Sequence, residues 1–493
     1  MANSETQMHE QGDGSQSPRL VDRLTSEANL WAILVSLVMV AYVLLHCMAD
    51  SKLPLPWVDE SHFLWQAVAF SEHGNLHAPE LNVERTIHWM PPGYFVVVGS
   101  VFKFTGVSLG VARGVSLLAM MMAAVVVFTM VRRFGVRLLG LIIGAGFFLS
   151  VPSIKAGNVA RMDSLLWLMV VSGFGLILKQ RQMLGLSLMA LSVLVHPNGV
   201  YFLGFALALC LFENIRDGKW RRLDAFDITV IGITSVAWVG YLVYVSGHWS
   251  DFQSDMAFQL ARKSSYDLSR LITFNNIGEL IVATAAGVYC WRKSLPVGKL
   301  FFLAIPAWLV YVIGIEMWYK FMYGMGYFLL AVICLVVLEH YFTEKSIRIF
   351  QRLRPVVLAV SAVIIVVGAM YWHQRQIPGM KYMTMDDLAD VGGQLDSLAV
   401  SHPGSVIEFF PTPDAFYFME QRERGLQFSN PKFSTRRPDY FLVRESAIFA
   451  AHFNPESQGV SEIQGWGTGE IAKHLIRSRG GSEKWYLIPV GND

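Results

Sequence analysis

Charged side chains are scarce in this chain: Asp, Glu, Lys and Arg make up 16% of its 493 residues, against 53% hydrophobic. That balance excludes an ordinary soluble enzyme, whose charged share is about 25%. Cysteine is scarcer still. The four cysteines, Cys47, Cys210, Cys290 and Cys334, all lie in or at the ends of apolar runs. None follows residue 334, so a soluble C-terminal piece has no disulfide framework to hold it. No internal repeat is present, which excludes a solenoid or propeller. The net charge of +2 says little by itself and points to no nucleic-acid partner.

What the chain has is apolar length. Runs of about 15 to 22 residues match the rise needed to cross roughly 30 Å of hydrocarbon. Spans are expected near 29–48, 110–131, 137–152, 163–178, 183–195, 197–212, 226–246, 277–291, 299–315, 321–341 and 355–371, about eleven in all. With the N-terminus in the cytoplasm, five basic segments fall on the inner side: Arg132 to Arg137, Lys179-Gln180-Arg181, Arg216 to Arg222, Trp291-Arg292-Lys293, and Lys345 to Arg354. The positive-inside bias supports this orientation, because the reverse puts all five outside. Residues 1–28 are polar and read as a disordered cytoplasmic tail. The first run has no convincing cleavage site after it and reads as a retained anchor.

Three parts follow from this reading. Residues 29–371 form a membrane module with a large outer loop over 49–92. Residues 372–493 form a small extracytoplasmic α/β domain, with strands expected over Ser405 to Phe410 and Tyr440 to Val443. Helices are expected there over Met385 to Val400 and Thr468 to Arg477. The fold class is therefore a polytopic all-α membrane protein with a small C-terminal α/β domain. Within the loop, Ser61 to Glu72 has helical spacing of Phe63, Ala67 and Phe70, which suggests an amphipathic helix along the interface. Residues 93–106 are too short for a full crossing and read as an interfacial or re-entrant helix.

The chemistry-bearing residues gather at the outer span ends. Asp59 and Glu60 follow the first span; either they are a solvated loop start, or one acts as a general base tuned by its neighbour. Arg161 is the first candidate for a phosphate, then Lys320, with Arg262 and Lys263 next. An ion pair with Asp163 is the structural alternative for Arg161, and snorkelling to headgroups is the alternative for Arg262 and Lys263. His62, His73, His77 and His88 lie near the acids. A divalent metal on Asp59, Glu60 and His62 is chemically admissible, although no metal-binding signature is present and the sequence requires no cofactor. Gly74 and Asn75 argue for a turn between His73 and His77. Trp89 fits an interfacial aromatic belt or a sugar-stacking surface.

Asp59-Glu60, His88-Trp89-Met90-Pro91-Pro92-Gly93-Tyr94-Phe95, Phe104 to Ser108, Arg113 and Arg161-Met162-Asp163 together form a pattern. It resembles the C-type glycosyltransferases, in particular the bacterial relatives of dolichyl-phosphate-mannose protein mannosyltransferases, including the lipid A aminoarabinose transferases. The motifs cover about residues 29–200, and beyond them hydropathy alone is similar. Two departures mark this chain: Met90 stands where many relatives have Lys or His before the prolines, and His196-Pro197 where relatives often have Lys after the fifth span.

The resemblance implies inverting transfer of one sugar from a polyprenyl-phosphate donor to a lipid, glycan or protein acceptor at the outer face of a bacterial inner membrane. It implies catalytic roles for Asp59 and Glu60, donor-phosphate contacts from the outer cations, and substrate contacts from His88, Trp89, Tyr94 and Asp163. Two other classes stand beside it. A transporter or flippase for lipid-linked sugars is expected to show paired halves and ionisable groups at the midplane, which this chain lacks. A ligase using polyprenyl-diphosphate glycans is expected to need a larger polysaccharide-binding loop.

Overall fold

Long apolar runs that are free of internal breakers become helices, and the described part of the chain is dominated by them. A computed structural model describes residues 58–88, 90–134, 159–218, 223–262, 273–313, 325–344, 385–410, 425–429, 437–444, 472–476 and 485–490, with isolated positions at 32–33, 35–41, 43–44, 144, 148 and 157. The helices are α1 (Val58–His73), α2 (Gly93–Thr105), α3 (Leu109–Arg133), α4 (Met162–Leu178), α5 (Gln182–Val193), α6 (Gly199–Asp217) and α7 (Ala225–Gly247). They continue with α8 (Trp249–Arg262), α9 (Phe274–Arg292), α10 (Phe301–Ile313), α11 (Met325–Glu344) and α12 (Met385–Ser401).

Local chemistry sets several of the ends. Asp224 opens α7 by accepting the Asp227 N–H at 2.8 Å, while the Asp227 side chain returns to the Asp224 N–H at 3.3 Å. These reciprocal bonds satisfy two amides that the helix itself leaves unpaired. Gly218 closes α6 in the left-handed region at φ 60°, where a residue without Cβ is unstrained. Gln182 to Val193 turns back on α4 so tightly that a Cβ on Gly173 would sit 2.7 Å from the Gly185 carbonyl oxygen. Small residues at such crossings let two apolar helices touch backbone to backbone.

Three helices are long and apolar enough to cross a membrane, Leu109–Arg133, Gly199–Arg216 and Ala225–Gly247, and five shorter apolar helices accompany them. The expected count of eleven is therefore not reached among the described residues. The span near 355–371 lies outside them, as do most of that near 137–152 and part of that near 29–48. Along α7, Ile228, Ile233, Val236, Val239, Leu242 and Val243 are exposed. An apolar helix surface of that extent belongs in lipid. The protein is an integral membrane protein.

Contacts between helix ends order the bundle. In the first turns of α3, Ser116 touches Arg161 at the entry to α4, and Arg113 holds Glu60 of α1, which in turn accepts the Ala160 N–H. The Gly93 N–H at the start of α2 donates to the Leu194 carbonyl at the end of α5 at 2.7 Å. His88 meets Tyr244 and His248 at the end of α7. At the opposite end, Lys299 pairs with Glu213 of α6, and Tyr289 of α9 contacts His340 of α11. α3 and α4 thus start at the same end, the arrangement that an intervening span over 137–152 demands.

The C-terminal part contains one sheet of order β2-β1-β3-β5-β4, with β1 (Val406–Phe410), β2 (Gln427–Ser429), β3 (Tyr440–Arg444), β4 (Leu475–Ile476) and β5 (Trp485–Pro489). β1 runs parallel to both β2 and β3, whereas β5 is antiparallel to β3 and β4. α12 buries Val391, Leu395, Leu398 and Ala399, one stripe at helical spacing. The helix expected over Thr468 to Arg477 is corrected in its second half: Ala472–His474 form a 3-10 turn and Leu475–Ile476 join the sheet. The ladder with Tyr486 and Trp485 decides this, and it is a long-range pairing.

Candidate functional site

Placing an arginine inside an apolar run is costly unless a partner is supplied. Arg113 has one. Its Nε and Nη2 donate to Glu60 Oε1 and Oε2, each at 3.0 Å, and both residues are buried, at 5% and 0% exposure. Glu60 Oε1 also accepts the Ala160 N–H at 2.6 Å. A fork-to-fork arginine–carboxylate pair with an added amide is strongly directional.

Ser116, one turn further along α3, grips the next residue. Its hydroxyl donates to the Arg161 carbonyl and accepts the Arg161 N–H, each at 3.3 Å. The buried Tyr94 hydroxyl of α2 lies 3.4 Å from Ser116 Oγ. Arg161 itself donates from Nε to Asp163 Oδ2 at 2.8 Å, and its guanidinium stands 5.7 Å from the centre of the Phe63 ring. Arg161 and Asp163 are 6% and 4% exposed. Helices α1 and α3 therefore hold the backbone that enters α4, with Tyr94 of α2 against Ser116, and four buried polar side chains, Glu60, Arg113, Arg161 and Asp163, gather there.

The loop from Gly74 to Pro92 is pinned from two sides. Gln66 Nε2 on α1 donates to the Ile87 carbonyl at 2.8 Å. Asp255 on α8 accepts Arg85 Nη1 and Nη2 at 2.9 and 2.8 Å and the His88 N–H at 2.6 Å. The hydrogen-bonded Asp255 carboxylate raises the Arg85 pKa above its ordinary value. His88 is 6% exposed, packs at 5.3 Å centroid distance against both Tyr244 and His248, and has no partner at Nε2 among the described residues. Burial, and then the neighbouring His248, push its pKa below the ordinary histidine value.

Of the residues singled out by sequence, the structure brings together Glu60, Tyr94, Arg161 and Asp163, and sets His88 in a second cluster with Arg85, Tyr244, His248 and Asp255. Asp59 and His62 lie on α1, but their side chains are outside the described residues, as is that of Arg262. Trp89, Lys263 and Lys320 are outside them altogether. His73 ends α1, and Gly74 has φ 71° while the His77 N–H donates to Asn75 Oδ1. The turn expected there is present, and the two histidines share no helix face. The helix over Ser61 to Glu72 is present but is not amphipathic in its packing. Leu64, Gln66 and Val68 are as buried as Phe63 and Ala67, because α2, the pinned loop and Phe428 of β2 cover its other sides.

Among the described residues no cluster of three His, Cys, Asp or Glu side chains could hold a metal. Both oxygens of Glu60, one of the three residues offered for a divalent ion, face the Arg113 guanidinium where an ion would sit. The residues that the spacing did not reveal are Ser116, Gln66, Arg85, Tyr244 and His248, with Arg113 visible as the charge in an apolar run.

The fold defines a class, a polytopic helical membrane protein, with a buried polar cluster where α1, α3 and the entry to α4 meet. The solved structures similar to it include ArnT from Cupriavidus metallidurans in the apo state (TM-score 0.56) and ArnT from the same organism bound to undecaprenyl phosphate (TM-score 0.57). Each is 12% identical to this chain, and each alignment covers 94% of this chain and 98% of the other. At that identity the likeness is one of fold, and it extends the resemblance read from residues 29–200 to nearly the whole length. No protein-family model and no curated protein matches the chain.

Proposed function

We propose that this protein is an inverting glycosyltransferase that moves a sugar from a polyprenyl-phosphate donor to a lipid, glycan or protein acceptor at the outer face of a bacterial inner membrane. One observation carries this reading: in a fold shared with a protein solved with undecaprenyl phosphate, the helix turn bearing Asp59 and Glu60 is hydrogen-bonded to the turn bearing Arg161 and Asp163. A base-bearing turn and an anion-binding turn are thereby neighbours.

In this reaction the acceptor oxygen attacks the anomeric carbon and Asp59 accepts its proton. The bond from that carbon to the phosphate oxygen breaks, and the electron pair leaves with the phosphate. The inverted configuration follows from attack opposite the leaving group. Arg161 supplies positive charge to the departing phosphate, and its bond to Asp163 fixes the plane of the guanidinium. Lys320, Arg262 and Lys263 are further phosphate ligands on this reading, and His88, Trp89, Tyr94 and Asp163 line the substrate side. The module spans residues 29–371 with eleven crossings and an N-terminal cytoplasmic tail over 1–28. Residues 372–493 form the outer domain that orients the acceptor.

The test is sugar transfer by purified wild type and Asp59→Asn, supplied with a panel of radiolabelled polyprenyl-phosphate sugars and a membrane extract. Label is expected to move with wild type and to fall by at least a hundredfold with the variant, which keeps shape but loses the basic oxygen. Equal transfer by both removes Asp59 from the role. No transfer from any donor, with a known transferase active in parallel, points instead to diphosphate-linked donors or to transport.

A further inference from the structure

A buried arginine–glutamate pair gives little stability over apolar side chains of the same volume, so the Glu60–Arg113 pair invites a reason other than stability. Its geometry offers one. Glu60 lies in the first turn of α1 next to Asp59. It holds Arg113 of α3 through both oxygens and the Ala160 N–H through one of them. Ser116 of the same helix holds both backbone polar groups of Arg161. The peptide units on either side of residue 160 are thus gripped from two helices, and the grip runs from Glu60, the residue after Asp59, on one side to Arg161 on the other.

We infer that Glu60 and Arg113 are positioning residues that fix the separation between the Asp59 turn and the Arg161–Asp163 turn, and that Glu60 is not itself the base. The inference rests on the transferase reading above. An acceptor hydroxyl and a departing phosphate must both be in place when the anomeric carbon reacts. A misplacement of about 1 Å far from the reacting atoms can cost about a hundredfold in rate. Glu60 reaches both turns and commits most of its acceptor capacity in doing so: three donors already bond its two oxygens.

The experiment compares Glu60→Met/Arg113→Met, Glu60→Gln and wild type in the transfer assay and, separately, by hydrogen exchange. The double variant removes the pair without leaving either charge buried alone, so it is expected to stay folded, with at most the modest loss in thermal midpoint that an unpaired Ala160 N–H brings. Its kcat is expected to fall at least a hundredfold, with donor KM within about threefold of wild type, because binding survives and alignment does not. Amide protection at Ala160 and Arg161 is expected to drop in the double variant, with the rest of α3 and α4 unchanged. Glu60→Gln is expected to lower the plateau of the pH–rate profile while keeping its ascending limb, since Asp59 still titrates.

A wild-type kcat in the double variant overturns the inference, as does loss of the ascending limb in Glu60→Gln, which makes Glu60 the base. If the wild type transfers nothing from any donor, the transferase reading fails by itself. Hydrogen exchange then still decides the grip, because unchanged protection at residues 160 and 161 refutes it without any turnover.

Discussion

At the scale of single residues, the sequence displayed the expensive groups but not their pairings. Glu60, Arg113, Arg161 and Asp163 stand out because charge in apolar surroundings demands a reason. The Arg161–Asp163 bond is a local pair, two residues apart, and was open to reading as spacing. The Glu60–Arg113 pair bridges 53 positions and the Arg85–Asp255 pair 170, and no periodicity encodes such contacts. His88 shows what such hidden pairing does to chemistry. It faces His248 and Tyr244 of α7, with Arg85 on its own loop and Asp251 and Asp255 on α8 as the nearby charges. Burial and His248 hold its native pKa below the unfolded value near 6.5.

The unfolded chain therefore binds the proton first on acidification. The stability contribution is fully present above pH 6.5 and declines as the pH falls from there through the native pKa. The slope is at most about 1.4 kcal/mol per pH unit. Thermal midpoints of wild type and His88→Phe between pH 7.5 and 5.5 check this. Wild type is expected to lose more on acidification than the variant, which keeps the ring contact and the backbone bond to Asp255. Parallel pH profiles would return His88 to a simple packing role.

At the scale of elements, the helices of the membrane module were legible because their signal is hydrophobic length, a property of the segment itself. α3, α4 and α7 match the expected runs within one or two residues. The packing around a helix is not such a property. The stripe of Phe63, Ala67 and Phe70 was correct, but α1 is enclosed on its other sides, where a Cβ at Gly99 of α2 would collide with the Ala67 carbonyl. The strand at Leu475–Ile476 was read as helix for the same reason: its partner lies in β5.

Helix crossings of this kind yield a prediction for α4 and α5. A side chain at Gly185 must push the Gly173 carbonyl and Ile177 away. Such overpacking costs about 1–3 kcal/mol. Gly240 on α7 has nothing within 4 Å of its Cβ position, so Gly240→Leu serves as the control. Gly185→Leu is expected to lower the thermal midpoint by several degrees, with Gly240→Leu unchanged or slightly higher. Equal midpoints for the two variants would mean that the α4–α5 hairpin opens without penalty.

At the scale of the whole molecule, two independent orderings agree. The helix ends that meet around Glu60, Leu194 and Tyr244 are the ends expected on the outer side, while the Lys299–Glu213 pair and the Lys179 to Arg181 turn lie at ends expected inside. The basic loops give that ordering its expected sign, because positively charged segments resist export. Trp65 of α1 contacts Phe428 of β2, with ring centroids 6.5 Å apart, which seats the C-terminal sheet at the Glu60 end. On that ordering the Glu60 end is the one expected at the outer face, with the sheet at the same end as Trp65.

The placement can be read directly. In a background with the four native cysteines replaced by serine, Val400→Cys on the sheet-side helix is 86% exposed at the native position, and Arg181 is exposed in the α4–α5 turn. An impermeant maleimide applied to intact bacterial spheroplasts is expected to label Val400→Cys at once and Arg181→Cys only after permeabilisation. The opposite pattern would invert the molecule and put Asp59 on the side where nucleotide sugars are available. It would leave no reason for a lipid-linked donor. Labelling of both without permeabilisation would break the alternation of spans between α5 and the C-terminal domain.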